Sequence, residues 1–436
     1  MRTPLRRNDP VPGAYPRSWY AASAAIPEPR GPLRGAHRAD VAIVGAGYTG
    51  LWAAKTLAEG GLRPVVLDAH RVGWGASGRN GGQVGSGFNR SQGELEARTG
   101  REAARAAWDV AEEGKRQLRD FVAAEAPEAA YKPGVAHGAY APAEVAHMRR
   151  EADHLAREYG YDEIEVMDRD AFRALVKSPR YLGGLLDRGA GHIHPFRYAL
   201  ALARAAEAAG AAIHEGSEVL RVEKGRAPTL HTREGTLAAD HVILAGNGYM
   251  PDLDAQVAAR VMPINSFIGA TEPLPDRWTD VLAEDIAAAD SKFVVNYFRF
   301  SEDRRFLFGG RESYGLGFPQ DIGGPLRRRL LGLFPQLDGV RIEHVWGGTL
   351  GITMTRLPFI ARVAPNILTG GGYSGHGVAL AGIAGRAMAE AILGQAGRFD
   401  ALALLPSQPF PGGARLRTPL LTLAMAWYAL RDRLGV

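Results

Sequence analysis

The chain of 436 residues contains no cysteine. Disulfides, thiolate metal sites, cysteine nucleophiles and a cysteinyl link to a prosthetic group are therefore excluded. Lysine is scarce too, occurring only at Lys55, Lys115, Lys132, Lys177, Lys224 and Lys292, so the basic side of the net charge of +5 is almost all arginine. The arginines are interspersed with acids, as in Arg98-Thr-Gly-Arg-Glu102 and Arg149-Arg-Glu-Ala-Asp153. That pattern describes a solvated surface and argues against a nucleic-acid partner. No apolar run reaches the roughly twenty residues a spanning helix needs. The start, Met1-Arg-Thr-Pro-Leu-Arg-Arg-Asn-Asp-Pro10, lacks the apolar region of a secretory signal, and the expected location is cytoplasmic. Residues 416–433, flanked by arginines, are too short to span and read as an amphipathic helix for a subunit contact or a peripheral membrane contact.

What the chain does have is glycine, at 55 positions, within an ordinary globular composition of 46% hydrophobic and 23% charged residues. Two or three domains are expected. Ala39-Asp-Val-Ala-Ile-Val44 reads as a buried strand, Gly45, Gly47 and Gly50 give the G-x-G-x-x-G spacing, and Leu51–Ala58 continues as a helix. This is the context of a dinucleotide fingerprint. Gly45 would allow the tight turn, Gly47 the approach of a phosphate to Tyr48 and Thr49, and Gly50 close helix–strand packing. The apolar run Pro64–Leu67 ends in Asp68, placed to accept a ribose hydroxyl. These residues alone fit NAD as well as FAD.

A second stretch, Thr369-Gly-Gly-Gly-Tyr-Ser-Gly-His-Gly-Val378, lies over three hundred residues away and opens another Ala/Ile-rich helix. Backbone N–H groups at two helix starts suit one long cofactor held at its pyrophosphate and at a polarised ring carbonyl. A third run, from Gly73 to Gly87, holds too much glycine for a regular element and reads as a loop pressed against something flat. Later segments alternate. Phe196–Ala209 is helical, Ala239–Leu244 is a buried strand ending at Gly246, and Phe293–Phe300 and Arg305–Gly309 read as strands of a mostly antiparallel sheet. The organisation expected is an N-terminal arm (1–38), a discontinuous nucleotide domain (39–92, 190–254 and 345–396), a helical and substrate domain (93–189 and 255–344) and a C-terminal tail (397–436).

These motifs resemble the D-amino-acid oxidase superfamily of flavoproteins, in the branch of gamma-glutamylputrescine oxidoreductases. The resemblance rests on Ser18-Trp-Tyr20, the fingerprint, Gly73–Gln83, Gly191-His-Ile-His-Pro195, Tyr297-Phe-Arg299, Trp346-Gly-Gly-Thr-Leu350 and Gly372–Val378, and so covers nearly the whole chain. It implies a glutathione-reductase-like α/β Rossmann domain binding FAD without a covalent link, interleaved with an α+β substrate domain. It implies cofactor contacts from Ala76, Ser77, Gly78, Arg79, Asn80, Gly81, Gly82, Gln83, Val219 and Gly246, and from Gly372, Tyr373, Ser374, Gly375, His376, Gly377 and Val378. Tyr297, Trp346 and Tyr373 are expected as an aromatic wall, with His376 near the flavin. The implied reaction is oxidation of a small-molecule amine, with dioxygen or another acceptor taking the electrons.

Two positions separate substrates within that resemblance. Members that oxidise alpha-amino acids carry an Arg where this chain has Leu350, and sarcosine-type members carry a Lys where it has Ala379. A carboxylate buried without a paired cation costs several kcal/mol, so the expected substrate carries none on its reacting carbon. An oxidase of glycine, sarcosine or D-amino acids is the alternative, with Arg299 or Arg356 as a substitute clamp.

Overall fold

The structure, a computed structural model, describes residues 13–250, 253–292, 294–313 and 317–413. The stretch 416–433 and the first twelve residues of the arm lie outside the described residues.

The first sheet is built on the strand Gly35–Val44. Parallel neighbours Gly235–Leu244 and Pro64–Leu67 flank it, and Ile367–Gly371 and Ala212–His214 pair outside them. Phe359–Ala364 closes one edge antiparallel. Val41 and Ile43 point to one face, into a core with Leu51, Ala54 and Ile383. Ala42 and Val44 point to the other, into a core with Leu67, Leu230 and Met250. Burial of both faces explains why the strand reads as a continuous apolar run. The helices Tyr48–Glu59 and Gly377–Ile392 cross so closely that a Cβ at Gly385 would lie 2.1 Å from the Thr49 carbonyl oxygen. The two distant glycine stretches are neighbours in space.

The second sheet is nine-stranded and mostly antiparallel, running Ile342–Ile352, Met262–Pro273, Arg305–Ser313, Tyr297–Phe300, Ala287–Asp290, Lys132–Gly138, Gly184–His192 and Gln83–Val84, with Ile164–Met167 alongside. Its two faces differ in kind. Phe267, Phe298, Phe300, Phe306 and Phe308 pack outward beneath the helix Gly323–Leu333. The opposite face carries Ser266, Ala289, Tyr297 and Gly348, small residues around one tyrosine, and it looks onto the first sheet.

Several expected boundaries shift. The first strand begins at Gly35 rather than residue 39. Ile342–Ile352, expected to open the third nucleotide segment at 345, is an edge strand of the second sheet, and the nucleotide sheet resumes only at Phe359. Gly184–His192 likewise belongs to the second sheet, so the return expected at 190 comes after His192. The long helix Arg101–Glu125, expected within the helical and substrate domain, packs its Ala104, Ala107 and Ala111 face into the nucleotide-domain core. Surface charge on a helix says nothing about which partner covers its apolar face. The strand expected from Phe293 starts at Tyr297.

Candidate active site

A cleft of about 620 Å³ lies between the two sheets, within the range of small-molecule and cofactor sites. Both glycine stretches, the 73–87 loop and the small-residue face of the second sheet line it.

At the fingerprint end the sequence roles have physical counterparts. Gly45 sits at φ +106°, and a Cβ there would lie 3.0 Å from the Ala245 carbonyl oxygen. Gly47 caps the helix without a side-chain bond, and a Cβ on it would meet Ser77 Oγ at 2.8 Å. Gly50 does not line the cleft; its Cβ would lie 1.9 Å from the Gly45 carbonyl oxygen, so it is a packing glycine. Asp68 lines the cleft and accepts from the backbone N–H groups of Ala46 (2.7 Å) and His70 (2.8 Å). Burial pushes its carboxyl up to about 6 against those two bonds. Two of a carboxylate's roughly four acceptor positions remain for a ribose hydroxyl.

The 73–87 loop works mainly through its backbone. Asn80 turns inward, donating to Ala76 O (3.0 Å) and Ser77 O (3.1 Å) and accepting from Gly82 N (2.7 Å). Arg79 lies over the Trp74 ring at 4.2 Å and donates to Trp74 O (2.5 Å) and Gly347 O (3.2 Å). Gln83 donates to Ala288 O at 2.8 Å, tying the loop to the second sheet. Ser77 Oγ accepts from Tyr48 N at 3.1 Å, and Tyr48 returns a hydroxyl bond to Ser77 O at 2.6 Å. Ala76, Ser77, Arg79, Asn80, Gly81 and Gln83 line the cleft, whereas Gly78 and Gly82 are pressed against Gly73 O and Ile193 O and do not.

At the second glycine stretch, Ser374 (φ +51°) and Gly375 (φ +101°) bend the chain into the helix Gly377–Ile392. The first-turn N–H groups of Gly377 and Val378 have no intrahelical partner, and both residues line the cleft. Gly372 (φ +70°) lies outside the lining, held by its N–H to Asn247 Oδ1 at 2.9 Å. Val219 and Gly246 line the cleft beside Glu218 and Met250.

The expected aromatic wall is largely corrected. Trp346 is buried in the core, donates Nε1 to Arg79 O at 3.0 Å and does not reach the cleft. Tyr373 lines the cleft but points its hydroxyl at Thr49 Oγ1, 2.7 Å away, joining the two glycine stretches. An indole or phenol that needs a hydrogen-bond partner when buried found it in the scaffold. Tyr297 lines the cleft. Its ring crosses Gly309, whose Cβ would lie 2.1 Å away, and its hydroxyl meets Ser266 Oγ at 3.1 Å. Arg299, the next cleft-ward residue in Y-F-R-F alternation, is spent on Gly81 O (2.8 Å), Ile193 O (2.9 Å) and the Tyr20 hydroxyl (3.2 Å). It does not line the cleft, which removes it as a carboxylate clamp. Leu350 and Arg356 do line it; Ala379 is buried between helices.

Sequence reasoning missed His137, Asn247, Tyr249, Ser266 and Asp290, all of which line the cleft. Asn247 had a signal: it stands between Gly246 and Gly248 after a buried strand and adopts φ +49°, a conformation asparagine tolerates. His137 had none, since only sheet register brings it there.

A cleft framed by two glycine-opened helix starts on a nucleotide-binding sheet, facing a small-residue antiparallel sheet, defines a flavin-dependent oxidoreductase. The FAD dependent oxidoreductase family, DAO, matches residues 40–391. The probable oxidoreductase OrdL of Rhizobium meliloti is 44% identical over 97% of this chain and 99% of its own. Gamma-glutamylputrescine oxidoreductase of Escherichia coli is 38% identical over 96% of this chain and 99% of its own. Among solved structures, glycine oxidase from Geobacillus kaustophilus superposes with a TM-score of 0.66 at 22% identity, covering 82% of this chain and 95% of that one. The chain belongs to the DAO family of FAD-dependent oxidoreductases. Its glycine cradles fit the cofactor, because the backbone there is bare of side chains beside two helix N-termini. Among the described residues no helix is long and apolar enough to cross a membrane.

Proposed function

We propose that this enzyme oxidises an amine whose reacting carbon bears no carboxylate, of the gamma-glutamylputrescine type. The observation that carries the reading is Leu350, an aliphatic side chain lining the cleft on the second sheet, together with the engagement of Arg299 by backbone carbonyls. The likeness to gamma-glutamylputrescine oxidoreductase supports it.

Ser77, Asn80 and the fingerprint would hold the dinucleotide, and the start of the helix Gly377–Ile392 would face the ring. The bound flavin supplies the acceptor for a hydride from the carbon next to nitrogen. The protein positions that carbon. Tyr297, fixed through Ser266, and Leu350 form the substrate-side wall, and the positive end of the Gly377–Ile392 dipole favours negative charge developing beside it. Water then hydrolyses the imine product to a carbonyl compound and an amine or ammonia.

Arg356 in the lining favours a second reading, an oxidase of small amino acids. Turnover of gamma-glutamylputrescine and putrescine against glycine, sarcosine and D-alanine separates the two. An aldehyde product from the diamines, with the amino acids at least tenfold poorer in kcat/KM, supports the proposal; the reverse order refutes it.

A further inference from the structure

The cleft contains two imidazoles, one from each sheet's side. His137 lies on the strand Lys132–Gly138 of the second sheet, and His376 lies at the turn into the helix Gly377–Ile392. Strand alternation explains the first: Ala136 points into the phenylalanine core, so His137 points the opposite way and lines the cleft, while Val135 on the same face packs with Ala190 and Ala287. Across the sheet His137 is level with Ala289 and, beyond it, Tyr297. It therefore shares a row with the substrate-side wall. His376 is packed beside Gly85, where a Cβ would lie 3.3 Å from its Cδ2.

Neither imidazole is used by the scaffold. Nδ1 of His376 is buried without a hydrogen-bond partner, and the His137 ring makes no hydrogen bond to a described residue. Buried polar groups are normally satisfied. The unpartnered Nδ1 of His376 and a His137 ring that only solvent or a cleft occupant can bond mark their shared end of the cleft as a place where a ligand meets imidazole. His194, by contrast, bonds both Ser23 Oγ and Arg197 N, while His192 and His241 also carry an unpartnered Nδ1 but lie away from the cleft.

We propose that His137 is the proton acceptor that converts the incoming ammonium into the neutral amine needed for oxidation. This rests on the amine reading above. In the step, one N–H bond of the ammonium breaks and its electron pair stays on the substrate nitrogen. The proton is taken by an imidazole nitrogen lone pair of His137, giving neutral amine and imidazolium, with no change of oxidation state.

The surroundings suit the exchange. Burial holds both imidazoles below their ordinary range, His376 down to about 4, and charge on His137 further disfavours a proton on His376. Both are therefore neutral at pH 7 and able to accept. Two carboxylates on the adjacent strands, Asp187 and Asp290, favour the imidazolium once it forms. Asp187 is held by Tyr161 and Ser86, and Asp290 by Tyr140 and Asn296, so both act on His137 through space and stay where they are. An amine losing its proton in this apolar cleft is itself favoured to be neutral.

The test uses the flavin-loaded protein with labelled histidine and tert-butylamine, whose carbon next to nitrogen has no hydrogen to lose. The expected result is that one imidazole resonance shifts on binding near pH 8, as its ring nitrogen accepts a hydrogen bond from the amine, and that His137→Gln lacks the shift. Binding without any imidazole resonance shifting, or the same shift in His137→Gln, overturns the assignment. A kinetic arm follows flavin reduction by an oxidisable amine. His137→Gln is expected to be at least tenfold slower at pH 7 and to approach the wild type above about pH 9, where free amine is supplied by solvent. Equal rates at all pH values also overturn it. Should no amine reduce the wild-type flavin, the amine reading fails, while the resonance experiment still decides whether His137 meets a bound amine.

Discussion

Thr49 and Tyr373, 324 residues apart in the chain, share one hydrogen bond of 2.7 Å between two buried hydroxyls. It is the direct side-chain link between the two glycine stretches. Burial holds the phenol above its ordinary range, so Tyr373 stays protonated and the pair always has a proton to share. Thr49→Val nearly preserves shape but leaves the phenol buried without a partner, and Tyr373→Phe leaves the threonine hydroxyl in the same position. An unsatisfied buried hydroxyl costs about 1–3 kcal/mol, whereas removing both partners together is nearly neutral. Each single variant should therefore lose about 1–3 kcal/mol in denaturant unfolding followed by release of flavin fluorescence. The double variant should lose no more than the worse single one, giving a coupling of about 1 kcal/mol or more. Costs that add to within about 0.5 kcal/mol would refute the link.

Three further outcomes follow from other parts of the site. Gly50→Ala must fit a methyl 1.9 Å from the Gly45 carbonyl oxygen; the helix start is pushed away, and the purified protein is expected to hold less than a tenth of the wild-type flavin, read by its absorbance. Leu350→Arg puts a cation into the lining, so kcat/KM for glycine or sarcosine relative to an amine should rise at least tenfold, about 1.4 kcal/mol in the transition state; an unchanged ratio would show that the position does not select the substrate. Asp68, raised to about 6 by burial, binds a proton in the folded protein more tightly than in the unfolded one. Its charged form thus costs stability, about 3 kcal/mol at pH 7, and that cost disappears as the pH falls from 6 to 4. Flavin-free wild type should gain on Asp68→Asn over that window, and parallel stability curves would contradict the assignment.

Legibility in the sequence followed the range of the physics. The fingerprint was readable because Gly45, Gly47 and Gly50 satisfy local steric demands within a few residues of a strand and a helix. The loop from Gly73 to Gln83 was readable as a loop, but not the inward turn of Asn80 and Arg79, which depends on carbonyls it folds around. Trp346 and Tyr373 look like a wall by type, and only tertiary contacts show that their polar atoms bond to Arg79 and Thr49. Arg299 and His137 illustrate the remainder. Both are placed by strand register, and a one-residue slip would exchange cleft for core. The domain boundary expected at 345 falls inside the strand Ile342–Ile352 for the same reason, since an apolar run does not state which partner it pairs with.

Anaerobic titration of the flavin-loaded enzyme, following loss of flavin absorbance as substrate is added, tests whether the cleft accepts amines without a carboxylate on the reacting carbon, as proposed. Stoichiometric bleaching is expected with gamma-glutamylputrescine or a related primary amine, and little with glycine, sarcosine or D-alanine at the same concentration. Bleaching by the amino acids alone would contradict the proposal.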